Sequence, residues 1–244
     1  MRTVLITGGG SGIGAGLAAA FHAKGAQVII AGRTRERLEA IAARHPSMVV
    51  EVVDVAEAEQ VAAFAERVAA RWPYLDTVVN NAGIQTLLDF HEAVDSELIT
   101  REIDVNLKGL ILVANAMLPL LRRQPKSTLI NVGSGLGYVP LVAAPVYSAT
   151  KAAVHSFTIS LRRQLANTPV SVVELIPPVV ETDLHRGQTR KPPRAMKLEE
   201  FVKAAMAGLD AGHPEVRVGL AKILAGGSRI APRLFLNIVN KQKD

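Results

Sequence analysis

The sequence predicts a single-domain α/β fold in three layers, a doubly wound parallel sheet with helices on both faces. Three observations point there. Short β-branched runs alternate along the chain with longer segments of helical period, the pattern of strands joined by crossover helices. The strand runs are almost continuously apolar, as expected where both faces of a sheet are covered. The chain has 244 residues, 49% hydrophobic and 20% charged, enough to bury a large core. That balance excludes a disordered, collagen-like or disulfide-stapled protein.

In chain order, strands are expected at residues 3–7, 27–31, 48–53, 77–80, 128–132, 170–175 and 215–219. Helices are expected between them at 13–24, 34–44, 56–71, 96–122, 146–166 and 198–211. Gly25 stands where a helix ends in a left-handed residue, and Asp54 and Ser96 stand where an N-cap or turn is useful. The first residues carry one Arg and a strand-like run ending in glycines, without the apolar stretch and cleavage site of a secretory signal. No stretch reads as the ~20 apolar residues of a membrane helix, so a cytoplasmic protein is expected.

Charge is placed unevenly. Residues 1–181 hold 16 Lys and Arg against 16 Asp and Glu, and residues 182–244 hold 12 against 6, so the net +6 belongs to the last quarter. Without aromatic interleaving, that basicity gives no reason to expect nucleic-acid binding. The absence of cysteine removes zinc-thiolate sites, thiol nucleophiles and redox dithiols. The six histidines show no metal-site spacing, and His155 reads as packing or helix polarity. No metal is expected.

In a doubly wound sheet ligands bind beyond the carboxyl ends of the strands. The first strand runs into Thr7-Gly8-Gly9-Gly10-Ser11-Gly12-Ile13-Gly14 and then a helix. Glycines let the backbone approach a pyrophosphate, which the amides and dipole of the helix N-terminus stabilise. A P-loop fails for want of Gly-Lys-Ser/Thr, so this is a Rossmann-like dinucleotide turn. NAD-binding domains usually place an acid at the end of the second strand for the ribose hydroxyls. Here Arg33 comes first, and a guanidinium suits an adenosine 2′-phosphate. NADP(H) is therefore expected in preference to NAD(H), the alternative for Arg33 being a solvated cation at a helix start.

Thr-Gly-x-x-x-Gly-Ile-Gly at 7–14, Asn80-Asn81-Ala82-Gly83 after the fourth strand, and Tyr147-x-x-x-Lys151 together resemble the single-domain branch of the short-chain dehydrogenase/reductase family. Tyr147 and Lys151 lie at i and i+4 and so project from one helix face. An ammonium beside a phenol is expected to draw its pKa of ~10 toward neutrality. The resemblance implies that Tyr147 is the general acid/base and that Lys151 also holds the nicotinamide ribose. It makes Ser134, just past the fifth strand, the partner of the substrate oxygen; relatives often have two serines there, and Gly133 replaces the first. Asn106 takes the place of an asparagine implied to hold a proton-relaying water, the alternative being a buried, backbone-bonded Asn.

The dinucleotide would then lie against Gly8, Gly10, Ser11, Gly12, Ile13, Gly14, Arg33, Asp54, Asn81, Ala82, Gly83, Tyr147, Lys151, Pro177 and Thr182. Asp54 reads equally as an acid contacting adenine or as an ordinary N-cap. After the sixth strand, Pro177-Pro178-Val179-Val180-Glu181-Thr182 departs from the family's Pro-Gly, putting the loop path and substrate access in doubt. Thr182 keeps the place implied to bind the carboxamide.

The expectation is an NADP(H)-dependent oxidoreductase interconverting a carbonyl and a secondary alcohol, with a catalytically silent dinucleotide sensor of the same fold as the alternative. Its pocket would be bordered by 84–95, 135–145 and 183–197, where Arg186, Arg190, Lys191 and Arg194 make an anionic substrate conceivable. The resemblance implies a homodimer or homotetramer. Residues 1–219 form the expected catalytic domain and 220–244 a basic, partly apolar tail. Core packing or subunit contact is expected for the tail over membrane docking, because Gly226, Gly227 and Pro232 interrupt any helix.

Overall fold

The computed structural model describes residues 2–185 and 195–241. Seven parallel strands form one sheet in the order β3-β2-β1-β4-β5-β6-β7. They are β1 (Thr3–Thr7), β2 (Gln27–Gly32), β3 (Val49–Val52), β4 (Thr77–Asn80), β5 (Ser127–Val132), β6 (Val170–Ile176) and β7 (Glu215–Arg217). Strand order reverses between β1 and β4, so the crevice that opens there is flanked by the loops after both. The strands alternate their side chains between two buried faces. Leu5, Ile29, Val78, Leu129 and Val172 enter one core, while Val4, Ile6, Val28, Ile30, Val79 and Ile130 enter the other.

The first core is closed by α3 (Ala58–Arg71), α5 (Gly109–Leu121) and α6 (Pro145–Gln164), through Phe64, Val68, Met117, Leu121 and Leu161. The second is closed by α1 (Gly12–Ala23), α2 (Arg35–Ala42) and α7 (Leu198–Asp210), through Leu17, Phe21, Leu38, Phe201 and Met206. Gly25, at φ 79°, turns the chain out of α1 as expected. Of the two positions expected at an N-cap or turn, Ser96 is corrected and Asp54 takes the turn. Asp95 caps α4 (Ser96–Ile103), its Oδ1 accepting from the Glu97 amide at 2.9 Å, so Ser96 is already helical. Helix α3 begins at Ala58 with Glu57 at its N-cap, so Asp54 caps no helix; its Oδ1 accepts from the Ala56 amide at 3.1 Å and closes a turn.

The expected helix over 96–122 is likewise not continuous α. It breaks into α4, a π turn at Asp104–Lys108, and α5. The run Ser96–Leu121 is also long and apolar enough to span a bilayer by length and composition, contrary to the expectation from sequence. The apolar side chains it buries, Val105, Val113, Met117 and Leu121 among them, belong to the first core. The tail needs the largest correction. Helix α8 (Leu220–Ile230) passes straight through Gly226-Gly227, and α9 (Pro232–Asn240) begins at Pro232. Proline breaks the run at Ala231 but starts the next helix well, since the first helical residue has no partner for an N–H.

Candidate active site

The turn from β1 into α1 is shaped by residues that cannot carry side chains. Gly8 adopts φ 66°, and a Cβ on Gly14 would fall 2.2 Å from the Gly8 carbonyl oxygen. Ser11 occupies the N-cap of α1 without a capping bond from its side chain, leaving that first turn open toward an anion. Gly10 and Ile13 line the same turn, and Thr182 packs over Gly12, with 3.1 Å between its Cβ and where a Gly12 Cβ would lie. Thr7 ties the turn to the end of β4. Its hydroxyl accepts from the amides of Asn81 and Ala82 at 3.0 and 3.1 Å, and the Asn81 amide group donates to the carbonyls of Thr7 and Gly8. Asn81, Ala82 and Gly83 are thus brought to the glycine turn.

Arg33 and Asp54, from the ends of β2 and β3, meet at the rim of that turn. Their side chains approach to 3.8 Å, and Arg101 reaches the same Asp54 oxygen at 3.6 Å. The Arg33 side chain remains exposed at that rim.

The segment leaving β4 is clamped by one face of α4 and the π turn. Asn106 is fully buried; its Oδ1 accepts from the Ile84 amide at 2.8 Å, and its Nδ2 donates to the Ile84 carbonyl and to Thr150 Oγ1. The backbone-bonded reading of Asn106 is therefore correct for its side chain. One turn earlier Glu102, also fully buried, accepts from the Thr86 amide at 2.9 Å through Oε1, while its Oε2 has no partner among the described residues. Burial raises the Glu102 carboxyl above the ordinary glutamate range, against the Thr86 hydrogen bond and the charge of Lys151.

Beyond β5, Ser134 accepts from the Leu136 amide at 3.1 Å and caps a short 3₁₀ turn, Gly135–Gly137. Ser134 also neighbours the Tyr147 phenol and favours its ionised form. Tyr147 and Lys151 share the buried face of α6, and the Lys151 ammonium lies 5.7 Å from the Tyr147 ring centroid and donates to the Val132 carbonyl at 2.8 Å. Contrary to the sequence expectation, the phenol is not drawn down. Burial pushes it up to about 12, with Ser134 opposing and the charge of Glu102 adding to the rise. Burial pulls Lys151 down to about 8, while the charges of Glu174 and Glu102 hold it up.

Behind Ser134 lies a polar cluster that the sequence reading missed. Glu174 on β6 is almost wholly buried and meets His155 Nδ1 at 2.6 Å. The Tyr138 ring stands edge-on to His155 at 4.7 Å, and Arg217 lies 5.9 Å from the Tyr138 centroid. A Cβ on Gly133 would fall 2.4 Å from Glu174 Oε1, so Glu174 fills the place a serine would need. The one available signal was an acid inside an otherwise apolar strand, Val-Val-Glu-Leu-Ile. His155 is accordingly a hydrogen-bond partner of Glu174 rather than packing alone.

The path after β6 is settled by two bonds. The Glu181 amide donates to the Met196 carbonyl and the Met196 amide to the Val179 carbonyl, each at 2.9 Å. Pro177 accepts from the Gly135 amide at 3.1 Å, and despite Pro178 the chain still delivers Thr182 to the glycine turn. Arg186, Arg190, Lys191 and Arg194 lie outside the described residues.

The sequence profile described as short chain dehydrogenase matches residues 2–193. The chain belongs to the short-chain dehydrogenase family. An uncharacterized oxidoreductase, DltE, of Bacillus subtilis (strain 168) is 38% identical over 219 residues, covering 88% of this dehydrogenase and 87% of its relative. A short chain dehydrogenase from Burkholderia cenocepacia J2315, solved in complex with NADP, superposes with a TM-score of 0.86 at 30% identity, covering 99% of this chain and 100% of that one. A short-chain dehydrogenase from Sphingobium yanoikuyae, in complex with NADPH, gives a TM-score of 0.83 at 27% identity, with 100% and 99% coverage. This dehydrogenase thus shares its fold with these solved relatives, and its glycine turn lies at the β1–α1 junction.

Proposed function

We propose that this dehydrogenase uses NADP(H), in preference to NAD(H), to interconvert a carbonyl and a secondary alcohol, with Tyr147 as general acid/base. The observation that carries this reading is the placement of the Tyr147 phenol and the Lys151 ammonium on one buried face of α6, next to Ser134, at strand ends adjoining the glycine turn. Residues of the turn, Gly8, Gly10, Ser11, Gly12, Ile13 and Gly14, would hold the pyrophosphate; Arg33 the 2′-phosphate; Asp54 the adenine edge. Asn81, Ala82, Gly83, Pro177 and Thr182 would border the nicotinamide half. When bound, the nicotinamide supplies or accepts the hydride.

In reduction, Ser134 donates a hydrogen bond to the substrate oxygen and fixes it beside the phenol. Tyr147, whose hydroxyl holds its proton up to about 12, gives that proton to the same oxygen, so the phenol O–H bond breaks as the alcohol O–H forms. Lys151, charged below about 8, stabilises the phenolate left behind and passes a replacement proton to it. Asn106 holds Ile84, and with it the loop that borders the substrate. Leu98, Ile103, Ile111 and Ile159, all exposed on α4, α5 and α6, support assembly into a homodimer or homotetramer.

The test is titration with NADPH and NADH followed by a panel of carbonyl compounds, reading NADPH absorbance. Tyr147→Phe should lower turnover by about 10²–10⁴-fold while cofactor binding persists. Binding without consumption of NADPH by any compound would favour the sensor.

A further inference from the structure

The α8–α9 hairpin presents an amphipathic face to solvent. Helix α8 buries Ala221 and Ala225 and turns Leu220, Ile223 and Ile230 outward at i, i+3 and i+10. Gly227 lies in that same stripe at i+7, and the tip of the Phe235 ring of α9 abuts it: a Cβ there would fall 2.0 Å from a ring carbon. That contact joins the outward stripe of α8 to the exposed pair Leu234 and Ile238, one turn apart on α9. Helix α9 fully buries none of its residues: Phe235 contacts Gly227 of α8, while Leu234, Leu236 and Ile238 remain exposed.

The flanking charge has one sign. Between residues 218 and 241 the chain has four cations, Lys222, Arg229, Arg233 and Lys241, and no acid. Lys222 and Arg229 share a row at i and i+7 on α8. A symmetric contact with a second copy would set these like charges against each other without a carboxylate between them. An anionic lipid surface meets both properties at once, apolar side chains entering the acyl boundary and cations meeting headgroups.

The hairpin is also fastened to the loop after Ser134. Asn240 accepts from the Val142 amide at 2.7 Å and donates to the Pro140 carbonyl at 3.0 Å, and Leu224 and Ala221 pack against Gly135. Beside Asn240, Leu136, Pro140, Leu141, Val142, Pro145 and Ala152 line an apolar hollow of about 460 Å³, with Val142 exposed at its edge. The apolar face therefore continues from α9 onto the substrate-side loop.

We propose that the α8–α9 hairpin docks this dehydrogenase on an anionic membrane surface. Docking orients the loop after Ser134 toward the bilayer.

The test uses the full-length protein sedimented with vesicles of equimolar phosphatidylglycerol and phosphatidylcholine, and with phosphatidylcholine alone. The anionic vesicles should carry the protein down and the zwitterionic ones should leave most of it behind. Lys222→Ala and Arg233→Ala should each weaken binding about fivefold, as should moderate salt. Ile223→Asp with Leu234→Asp should abolish it while the thermal melt stays intact, since both side chains already face water. A folded wild-type protein that ignores anionic vesicles overturns the proposal, as does binding that survives the double Asp variant. Light scattering that shows a dimer dissociated by Leu234→Asp, with vesicles ignored, assigns the face to a second copy instead. The readout needs no turnover, so its failure leaves the catalytic reading untouched.

Discussion

At Glu102 a single carboxyl is asked to live without water and with only one of its oxygens bonded. Because burial raises its folded pKa above the 4.5 of the free group, the folded chain holds a proton that the unfolded chain has released. Stability is therefore unaffected below 4.5, declines as pH rises through the interval up to the raised folded value, and stays lower above it. Glu102→Gln keeps an acceptor for the Thr86 amide and removes the decline. Its urea midpoint should gain on the wild type as pH goes from 4.5 to 7, and an equal gap at both ends would contradict the assignment. The same substitution removes one of two carboxyls that hold Lys151 up. The alkaline limb of kcat/KM, expected near 8, should move to lower pH. Nothing in the sequence separates Glu102 from a solvated helix acid; only the packing of the 84–86 segment over α4 does.

Two strands decide how far this chain can be edited toward its relatives. In Gly133→Ser the new Cβ would lie 2.4 Å from Glu174 Oε1, inside contact distance of a side chain pinned by His155. The substitution should cost about 1–3 kcal/mol. Glu174→Ser should rescue it in part, with a coupling of about 1 kcal/mol or more in a urea double-mutant cycle; strict additivity would mean the two sites do not compete. In the π turn, Asn106→Leu strands the Ile84 backbone groups and should cost about 2–4 kcal/mol, while lowering turnover through the displaced loop. These elements also show what was legible. The central strands follow directly from apolar runs, because β1, β2 and β4 are buried on both faces, whereas the short β7 alternates Glu215-Val216-Arg217 and ends before the expected 219. The π turn was invisible because Asp104–Lys108 keeps a helical composition; what differs is one hydrogen-bond register. Helix α8 was misread because glycine's propensity cost was judged without Phe235, which needs Gly227 bare. Tyr147 and Lys151 follow from their i, i+4 spacing and Ser134 from the family resemblance, but the pKa of the phenol does not, since burial is a property of the packed fold.

Across the whole molecule, the two halves of the sheet meet at the β1–β4 crevice, and the proposed cofactor residues come from both. Arg33, Asp54 and the glycine turn belong to the β1–β3 side; Ser134, Tyr147, Lys151 and Thr182 belong to the β5–β6 side. A ligand that spans the crevice must therefore stabilise the fold as a unit, in proportion to how far its concentration exceeds its dissociation constant. At a hundredfold excess the gain is about 2.7 kcal/mol, which for a chain of this size raises Tm by about 5–10 °C. NADPH should give that shift, and NADH at the same concentration a smaller one, because only the former offers Arg33 a phosphate. Removing the guanidinium should erase the difference rather than the binding. In Arg33→Ala the NADPH shift should fall to that of NADH, and KM for NADPH should rise about tenfold with KM for NADH unchanged. Equal shifts for the two cofactors in the wild type would instead mean that Arg33 spends its charge on Asp54, 3.8 Å away, and that the 2′-phosphate is not read at this rim.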